Sequence, residues 1–343
     1  MSTPLHHPIL IAGAGPIGLA CAISARRRGF DPFVIDAGAV ANSIVHYPVG
    51  MTFFTTPERL EIGGHPLVCA GAKPTREEAL KYYRGVVRAE GLRVRTYARL
   101  TDAQARDGRV TAVLETRRGA ETVTCDRVVL ATGYFDHPNL LGVTGETLPH
   151  VHHYFDEAHR SYGQDVVVVG GRNSAVEAAL QLFRAGARTT LVYRGAAFPR
   201  SVKYWLKPDL ENRIKAGGLA ARLGAQVESI GAAHVTVRTG DGAREQIPAD
   251  RVYALIGFHP DLTLFDRIGI AYDRDSGRPT LDPATLATTV PGVYLAGSVT
   301  AGNKISEIFI ENGRFDGDKI FGDAAERAAA NVRYANIDRP PGE

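Results

Sequence analysis

Residues 8–12, Pro-Ile-Leu-Ile-Ala, form a short unbroken apolar run, the pattern of a strand buried on both faces of a parallel sheet. The turn Gly13-Ala-Gly15-Pro-Ile-Gly18 follows at once, and residues 19–28 predict a helix stopped by Gly29. Residues 32–36 predict a second strand ending in a carboxylate, Asp36. Residues 76–90 carry the spacing of an amphipathic helix ended by Gly91. Alternating segments near 93–97, 109–116 and 122–130 predict a β-meander whose last strand runs into Ala131-Thr132-Gly133.

The same order then repeats. Residues 165–169 predict a strand, Gly170-Gly-Arg-Asn-Ser-Ala175 a glycine turn, 176–184 a helix and 189–193 a strand. A second meander spans about 222–256 and again ends in a strand followed by Gly257. Residues 293–297 predict one more buried strand, 307 to about 330 a helix, and 339–343 a disordered tail. The fold class is therefore α/β: two Rossmann-type domains, each of three layers with a parallel sheet plus a β-meander.

The first turn carries the full dinucleotide fingerprint: it follows a strand, opens a helix, and has an acidic residue at the end of the next strand, about 20 residues on. Gly13 makes the tight turn, Gly15 lets backbone N–H groups approach a pyrophosphate, and Gly18 lets helix and strand pack. Asp36 is placed to accept from the ribose hydroxyls of an adenosine. The second turn has Arg172 at its third position, and no acidic residue ends the next strand. Tyr193 and Arg194 stand there, with Arg200 and Lys203 beyond. Arginine's planar fork suits a ribose 2′-phosphate that a carboxylate would repel, so this site reads as one for NADPH. Two dinucleotide sites in one chain imply one flavin and one nicotinamide. Residues 131–133 and 289–297 agree, because both end buried strands in small residues that leave room for a cofactor. The helix after Lys304 is a candidate to face the flavin and stabilise charge on its reduced form. The expected domains are 1–138 with 257–343 for FAD, and 139–256 for NADPH.

Composition narrows the rest. At 44% hydrophobic and 22% charged residues the chain reads as an ordinary globular protein. Its 37 glycines are in excess, as close backbone–ligand approaches require. The net charge of +3 is too small for a nucleic-acid partner, and no apolar run is long enough for a membrane span. Cys21, Cys69 and Cys125 form no CxxC and no zinc spacing, and no signal-peptide pattern opens the chain, so the expected compartment is the cytoplasm. His150, His152 and His153 lack nearby acidic or thiol ligands, and no metal is expected. Phe53, Phe54, Tyr82 and Tyr83 read equally as lining of a flavin or substrate entrance and as core.

From about Ile9 to about Ala330 the sequence resembles the thioredoxin reductase type of flavoprotein, and more narrowly the bacillithiol disulfide reductase family. The resemblance is carried by Gly13–Gly18, Asn42-Ser-Ile, Thr52-Phe-Phe, Leu60-Glu-Ile-Gly63, Ala131-Thr-Gly-Tyr-Phe-Asp-His-Pro138, His153-Tyr-Phe155, Gly170-Gly-Arg-Asn-Ser174, Tyr193-Arg-Gly195 and Glu307-Ile-Phe-Ile-Glu-Asn-Gly-Arg-Phe315. It implies FAD, NADPH, a homodimer or homotetramer, and reduction of a low-molecular-weight disulfide such as bacillithiol disulfide by hydride transfer from NADPH to FAD. The FAD set becomes Gly13, Gly15, Pro16, Ile17, Gly18, Asp36, Ala37, Asn42, Ser43, His46, Thr132, Gly133, Gly297, Ser298 and Ile308. The NADPH set is Gly170, Gly171, Arg172, Asn173, Ser174, Tyr193, Arg194, Arg200 and Lys203. Two positions depart from the relatives. Thioredoxin reductases carry a CxxC just before the second turn, where this chain has His150-Val-His-His-Tyr154. Bacillithiol disulfide reductases often carry a cysteine inside the first turn, where Ile17 stands. Electrons are thus expected to leave the flavin without a protein thiol. The alternative acceptors are ferredoxin, flavodoxin or a quinone, and a non-catalytic NADPH sensor is the third class.

Overall fold

In a computed structural model the described residues are 4–304 and 307–335. The predicted tail at 339–343 lies outside them. In chain order the first elements are β1 (Leu5–Ala12), α1 (Pro16–Arg27), β2 (Pro32–Ile35), α2 (Asn42–Val45), α3 (Pro57–Leu60), α4 (Arg76–Ala89), β3 (Arg93–Arg95), β4 (Ala98–Arg106), β5 (Arg109–Thr116) and β6 (Gly119–Leu130). Then come β7 (Val151–His152), β8 (Asp165–Val169), α5 (Asn173–Arg184), β9 (Arg188–Tyr193), α6 (Lys207–Lys215), β10 (Ala220–Leu223), β11 (Gln226–Ile230), β12 (His234–Arg238), β13 (Arg244–Pro248) and β14 (Arg251–Ala254). The last are α7 (Leu262–Ile268), β15 (Val293–Leu295), α8 (Ile310–Gly313), α9 (Asp316–Phe321) and α10 (Ala324–Ala335).

The described residues divide into two compact units. One holds the chain up to His46, Gly50–His137 and the chain from Phe258 onward; the other holds Tyr47–Val49 and Pro138–Gly257. In the first, the sheet runs β3-β2-β1-β6-β5-β4, with β15 also on β6. The long β6 pairs parallel with β1 on one edge and serves two ladders on the other. Its first half pairs antiparallel with β5, and its last three residues, 128–130, pair parallel with β15. The parallel part thereby delivers Ala12, Ile35, Leu130 and Leu295 as neighbouring strand ends. Helix α1 begins with Pro16, whose fixed φ suits the first helical position, and packs on β1, β2 and α9. Helix α4 is started by a capping box: the Glu78 N–H donates to Thr75 Oγ1 at 3.2 Å, and the Thr75 N–H to Glu78 Oε2 at 2.8 Å.

The second unit stacks three layers. A parallel sheet β10-β9-β8-β14-β7 lies between α5 and the antiparallel β11-β12-β13. Strand β8 explains why its valines are unbroken: Val166 and Val168 pack with α5, while Val167 and Val169 pack with Val235, Val237 and Ile247 of the meander. Among the described residues no helix is long and apolar enough to cross a membrane.

Two expected elements differ. Residues 93–97 do not open the meander; Arg93–Arg95 instead adds a parallel edge strand to β2. The chain reverses at Tyr97, with φ of 56°, and the meander begins with β4. A bulge between Leu100 and Asp102 shifts its inward set from Ala98 and Leu100 to Ala103, which breaks the period-two signal. The single helix expected from 307 to about 330 is three short ones. Gly322 is extended, with φ −76° and ψ 165°, and α10 restarts under a reciprocal cap between Asp323 and Glu326. Helix α8 has only four residues, with Glu311 in its first turn, so the helix N-terminus expected after Lys304 is that of a single turn.

Candidate functional site

The first glycine turn is built by close backbone approach. Gly13, at φ +118°, donates its N–H to Ile35 O at 2.7 Å, and a Cβ on it would overlap the Ala131 carbonyl oxygen. A Cβ on Gly18 would overlap the Gly13 carbonyl oxygen. Gly15 differs: nothing lies within 4 Å of where its Cβ would stand. It is also the N-cap of α1, which has no side-chain cap and no acidic residue in its first turn. The start of this 12-residue helix thus carries neither a side-chain cap nor a first-turn carboxylate, and the space beside Gly15 is open, an arrangement that can seat a pyrophosphate.

Asp36 closes one side of this cradle. Its Oδ2 accepts the Ala14 N–H at 2.7 Å and its Oδ1 the Gly38 N–H at 2.8 Å. Burial pushes the carboxyl pKa up, against the pull of those two N–H bonds. A second lone pair on each oxygen stays available to ribose hydroxyls. Residues 37–46 fold onto the turn. The Ala41 N–H donates to Ala14 O at 2.9 Å, Asn42 Oδ1 accepts the Ala39 N–H at 3.1 Å, and His46 Nδ1 sits 2.9 Å from Asn42 O. Ala37 and Ser43 are half-buried in this segment.

The strand ends complete the cradle. The Ala131 N–H donates to Ala12 O at 2.8 Å and the Ala296 N–H to Leu130 O at 2.9 Å. These bonds set Thr132 and Gly133 beside Gly297 and Ser298. The Ser298 hydroxyl lies 3.7 Å from where a Cβ on Gly133 would stand. Half-buried Ile17 packs beside Gly297 and Gly313: a Cβ on Gly297 would come within 2.7 Å of its Cδ1, and one on Gly313 within 2.6 Å. Ile308 lies buried two residues before α8, positioned by that helix and not by the strand ends. The open space at Gly15, a helix start without a side-chain cap and the Asp36 carboxylate beside them together fit FAD.

The second turn follows the same plan with different side chains. A Cβ on Gly170 would stand 2.5 Å from Leu255 O, and one on Gly171 would overlap the Tyr193 ring. That ring lies across the turn and stacks on Phe198, with centroids 6.2 Å apart. Ala175 takes the close-packing place and is fully buried. Arg172 is the N-cap of α5, again with no side-chain cap and no acidic first turn. Asn173 braces the facing loop: its Oδ1 accepts the Lys203 N–H at 2.9 Å, and its Nδ2 donates to Ser201 O at 3.3 Å. Ser174, Arg172, Arg194 and Arg200 are exposed, whereas Lys203 is buried with its ammonium 5.8 Å from the Trp205 ring. The exposed cations are thus three arginines, and no carboxylate ends β9, which fits a phosphorylated ribose.

A pyridine nucleotide-disulphide oxidoreductase model matches residues 10–297. The chain belongs to that family. It is 43% identical over 323 residues to bacilliredoxin reductase Bdr of Bacillus subtilis, covering 94% of this chain and 99% of the relative. Bacillithiol disulfide reductase Bdr from Bacillus cereus superposes with a TM-score of 0.90 at 39% identity, covering 96% of this chain and 99% of that one. Thioredoxin reductase from T. acidophilum superposes at 0.73 with 20% identity, over 95% of this chain and 99% of that one, and shares the fold. The protein is an oxidoreductase, and its cofactors are FAD and NADPH.

Many disulphide oxidoreductases use thiols, and the cysteines here are poor ones. Cys21 is fully buried where α1 meets α9, its Cα 2.8 Å from where a Cβ on Gly317 would stand. Burial pushes its thiol pKa far up, helped by Asp316 and Asp318. Burial pushes Cys125 up to about 12. Cys69 is partly exposed and its thiol is also raised, first by desolvation and then by Glu78 and Glu58. None is an activated thiolate at neutral pH. Tyr83 is buried and donates its hydroxyl to Leu60 O at 3.0 Å; Tyr82 donates to His65 O at 2.8 Å. Both brace the 60–65 segment. Phe53 is buried. Among the described residues no group of three His, Cys, Asp or Glu is placed to hold a metal ion. His152 lies 3.3 Å from Arg251 Nη1, and His153 3.7 Å from Glu146.

One residue at the first turn has no signal in the sequence pattern. Asp316 is buried at the start of α9 and accepts the Gly297 N–H at 2.7 Å. Burial pushes its carboxyl pKa up to about 6.

Proposed function

We propose that this oxidoreductase uses NADPH, through FAD, to reduce a low-molecular-weight disulfide of the bacillithiol type. Near-full-length kinship with Bdr, together with two intact glycine turns, supports this reading. FAD belongs to the first unit, on Gly13, Gly15, Gly18, Asp36, the Asn42–His46 segment, Thr132, Gly133, Gly297 and Ser298. NADPH belongs to the second, on Gly170, Gly171, Arg172, Asn173, Ser174 and Tyr193, with Arg194 and Arg200 for the 2′-phosphate and Lys203 behind them. When bound, the flavin supplies a two-electron carrier between nicotinamide and acceptor.

The chain's own work is binding and orientation. The α1 N-terminus neutralises the pyrophosphate, Asp36 orders the turn and the ribose, and Ile17 keeps the turn seated against Gly297 and Gly313. With raised pKa values on all three cysteines, no side-chain thiolate takes part, and the acceptor meets the flavin directly. The protein works in the cytoplasm as a homo-oligomer.

The test is NADPH oxidation under anaerobic conditions with purified oxidised acceptors offered one at a time. Turnover with bacillithiol disulfide, and little with ferredoxin, flavodoxin or quinone, supports the proposal. Turnover with a redox protein or quinone and none with the disulfide moves the assignment to the alternative acceptor. Light scattering on the holoprotein measures the oligomer.

A further inference from the structure

The last strand of the first unit ends in a backbone turn that nothing in β15 itself can hold. Gly297 adopts φ +77°, and its N–H is directed away from the strand ladder into the protein. There it meets Asp316 Oδ2 at 2.7 Å. Asp316 comes from α9, 3% exposed. A carboxylate in such a place is expensive unless its bond does something. What the bond does is fix the start of the 297–301 turn, and with it the Ser298 hydroxyl beside Gly133. The Ile17 side chain presses on Gly297 from the first glycine turn, so three segments meet at that residue.

We infer that Asp316 is the positioning residue of the flavin cradle: its carboxylate clamps the Gly297 turn from behind and sets Ser298 and Gly133 in the arrangement that receives FAD. The inference rests on the reading of Gly133, Gly297 and Ser298 as FAD contacts. Asp316 itself touches no cofactor. The charged and titratable groups that act on it or share its surroundings are Lys319 of its own helix and Cys21 of α1, the latter also felt by Asp318. Lys319 is buried, with its ammonium over the Tyr334 ring at 4.1 Å, and its charge helps Asp316 to ionise. Asp318 is engaged elsewhere, accepting from Ser24 Oγ at 2.8 Å and pairing with Arg28 at 3.2 Å. Cys21 stays a neutral thiol, because burial holds its pKa far up. Burial raises the Asp316 carboxyl pKa to about 6, and only its ionised form offers Gly297 a charge-assisted bond.

The experiment measures FAD affinity of the deflavinated full chain, wild type against Asp316→Asn and Asp316→Ala, from pH 5 to 8. Losing a charge-assisted bond should weaken FAD by roughly tenfold to a hundredfold at pH 8. Wild-type affinity should also fall as pH drops through about 6, and Asp316→Asn should remove that step, leaving only what Asp36 contributes at the acid end. The thermal midpoint of the FAD-free protein reports the fold separately. Unchanged FAD affinity in a folded Asp316→Asn protein overturns the inference, as does a step near pH 6 that the substitution leaves undiminished. If the alanine variant does not fold, the asparagine variant decides. Asp36→Asn is the control for the reading beneath: if it too leaves FAD affinity intact, the cradle assignment has failed and not merely the clamp.

Discussion

Replacing Asp36 with asparagine changes a few atoms and should cost most of the grip on FAD. The carboxylate accepts two backbone N–H groups, from Ala14 at 2.7 Å and Gly38 at 2.8 Å. A side-chain amide has one acceptor oxygen and one NH2. Whichever way it turns, one of those N–H groups faces a donor. Hydrogen bonds to charged groups contribute roughly 1.5–3 kcal/mol each. At ~1.4 kcal/mol per tenfold, losing one loosens FAD by about 10- to 100-fold, and losing the ribose contact adds to this. The pH dependence follows the same logic. Burial raises the Asp36 pKa, so protonation on acidification turns one oxygen into a donor and imitates the substitution. Wild-type affinity should therefore drop on the acid side, and Asp36→Asn should be weak throughout and lose this carboxyl's share of the drop, keeping only the step near pH 6 that belongs to Asp316. Fluorescence quenching of FAD titrated into deflavinated protein measures both, with circular dichroism to show that the fold survives. Equal FAD affinity in wild type and a folded Asp36→Asn protein at pH 8 would refute the role given to this carboxylate.

Three further outcomes are expected. Arg194→Ala should raise the Michaelis constant for NADPH by roughly tenfold or more and leave that for NADH nearly unchanged, since it removes a charged contact to the 2′-phosphate alone; equal losses with both coenzymes would make Arg194 structural. The variant carrying Cys21→Ala, Cys69→Ser and Cys125→Ala should oxidise NADPH within about twofold of wild type with its best acceptor, because none of the three thiols is a nucleophile at neutral pH; loss of turnover in the FAD-loaded variant would restore a thiol to the chemistry. Asp316 has its folded pKa raised from 3.8 to about 6, so the stability it contributes is present below the lower value and is lost as pH rises through the upper one. Denaturant unfolding of the FAD-free protein should lose on the order of 3 kcal/mol between pH 4 and 7, and Asp316→Asn should remove that slope.

The sequence by itself determined the repeated strand–glycine turn–helix–strand order, the FAD fingerprint and the absence of a carboxylate after the second turn. Those features are local: a glycine where backbones must meet, an unbroken valine run where both faces are covered, an acid or an arginine at a strand end. It also showed that Ile17 stands where relatives often keep a thiol. Only the tertiary structure decided what Ile17 does, because the space between Gly297 and Gly313 is made by residues far along the chain. The same holds for Tyr82 and Tyr83, whose hydroxyls are spent on the backbone of residues 60–65. Strand β4 was hidden by its bulge, and the broken C-terminal helix by a periodicity that runs on through Gly322. Asp316 was hidden for the most general reason. In the sequence it is one acidic residue at the start of a helix; its buried position, raised pKa and hold on Gly297 arise because α9 folds back onto the end of β15, a contact that no local pattern encodes.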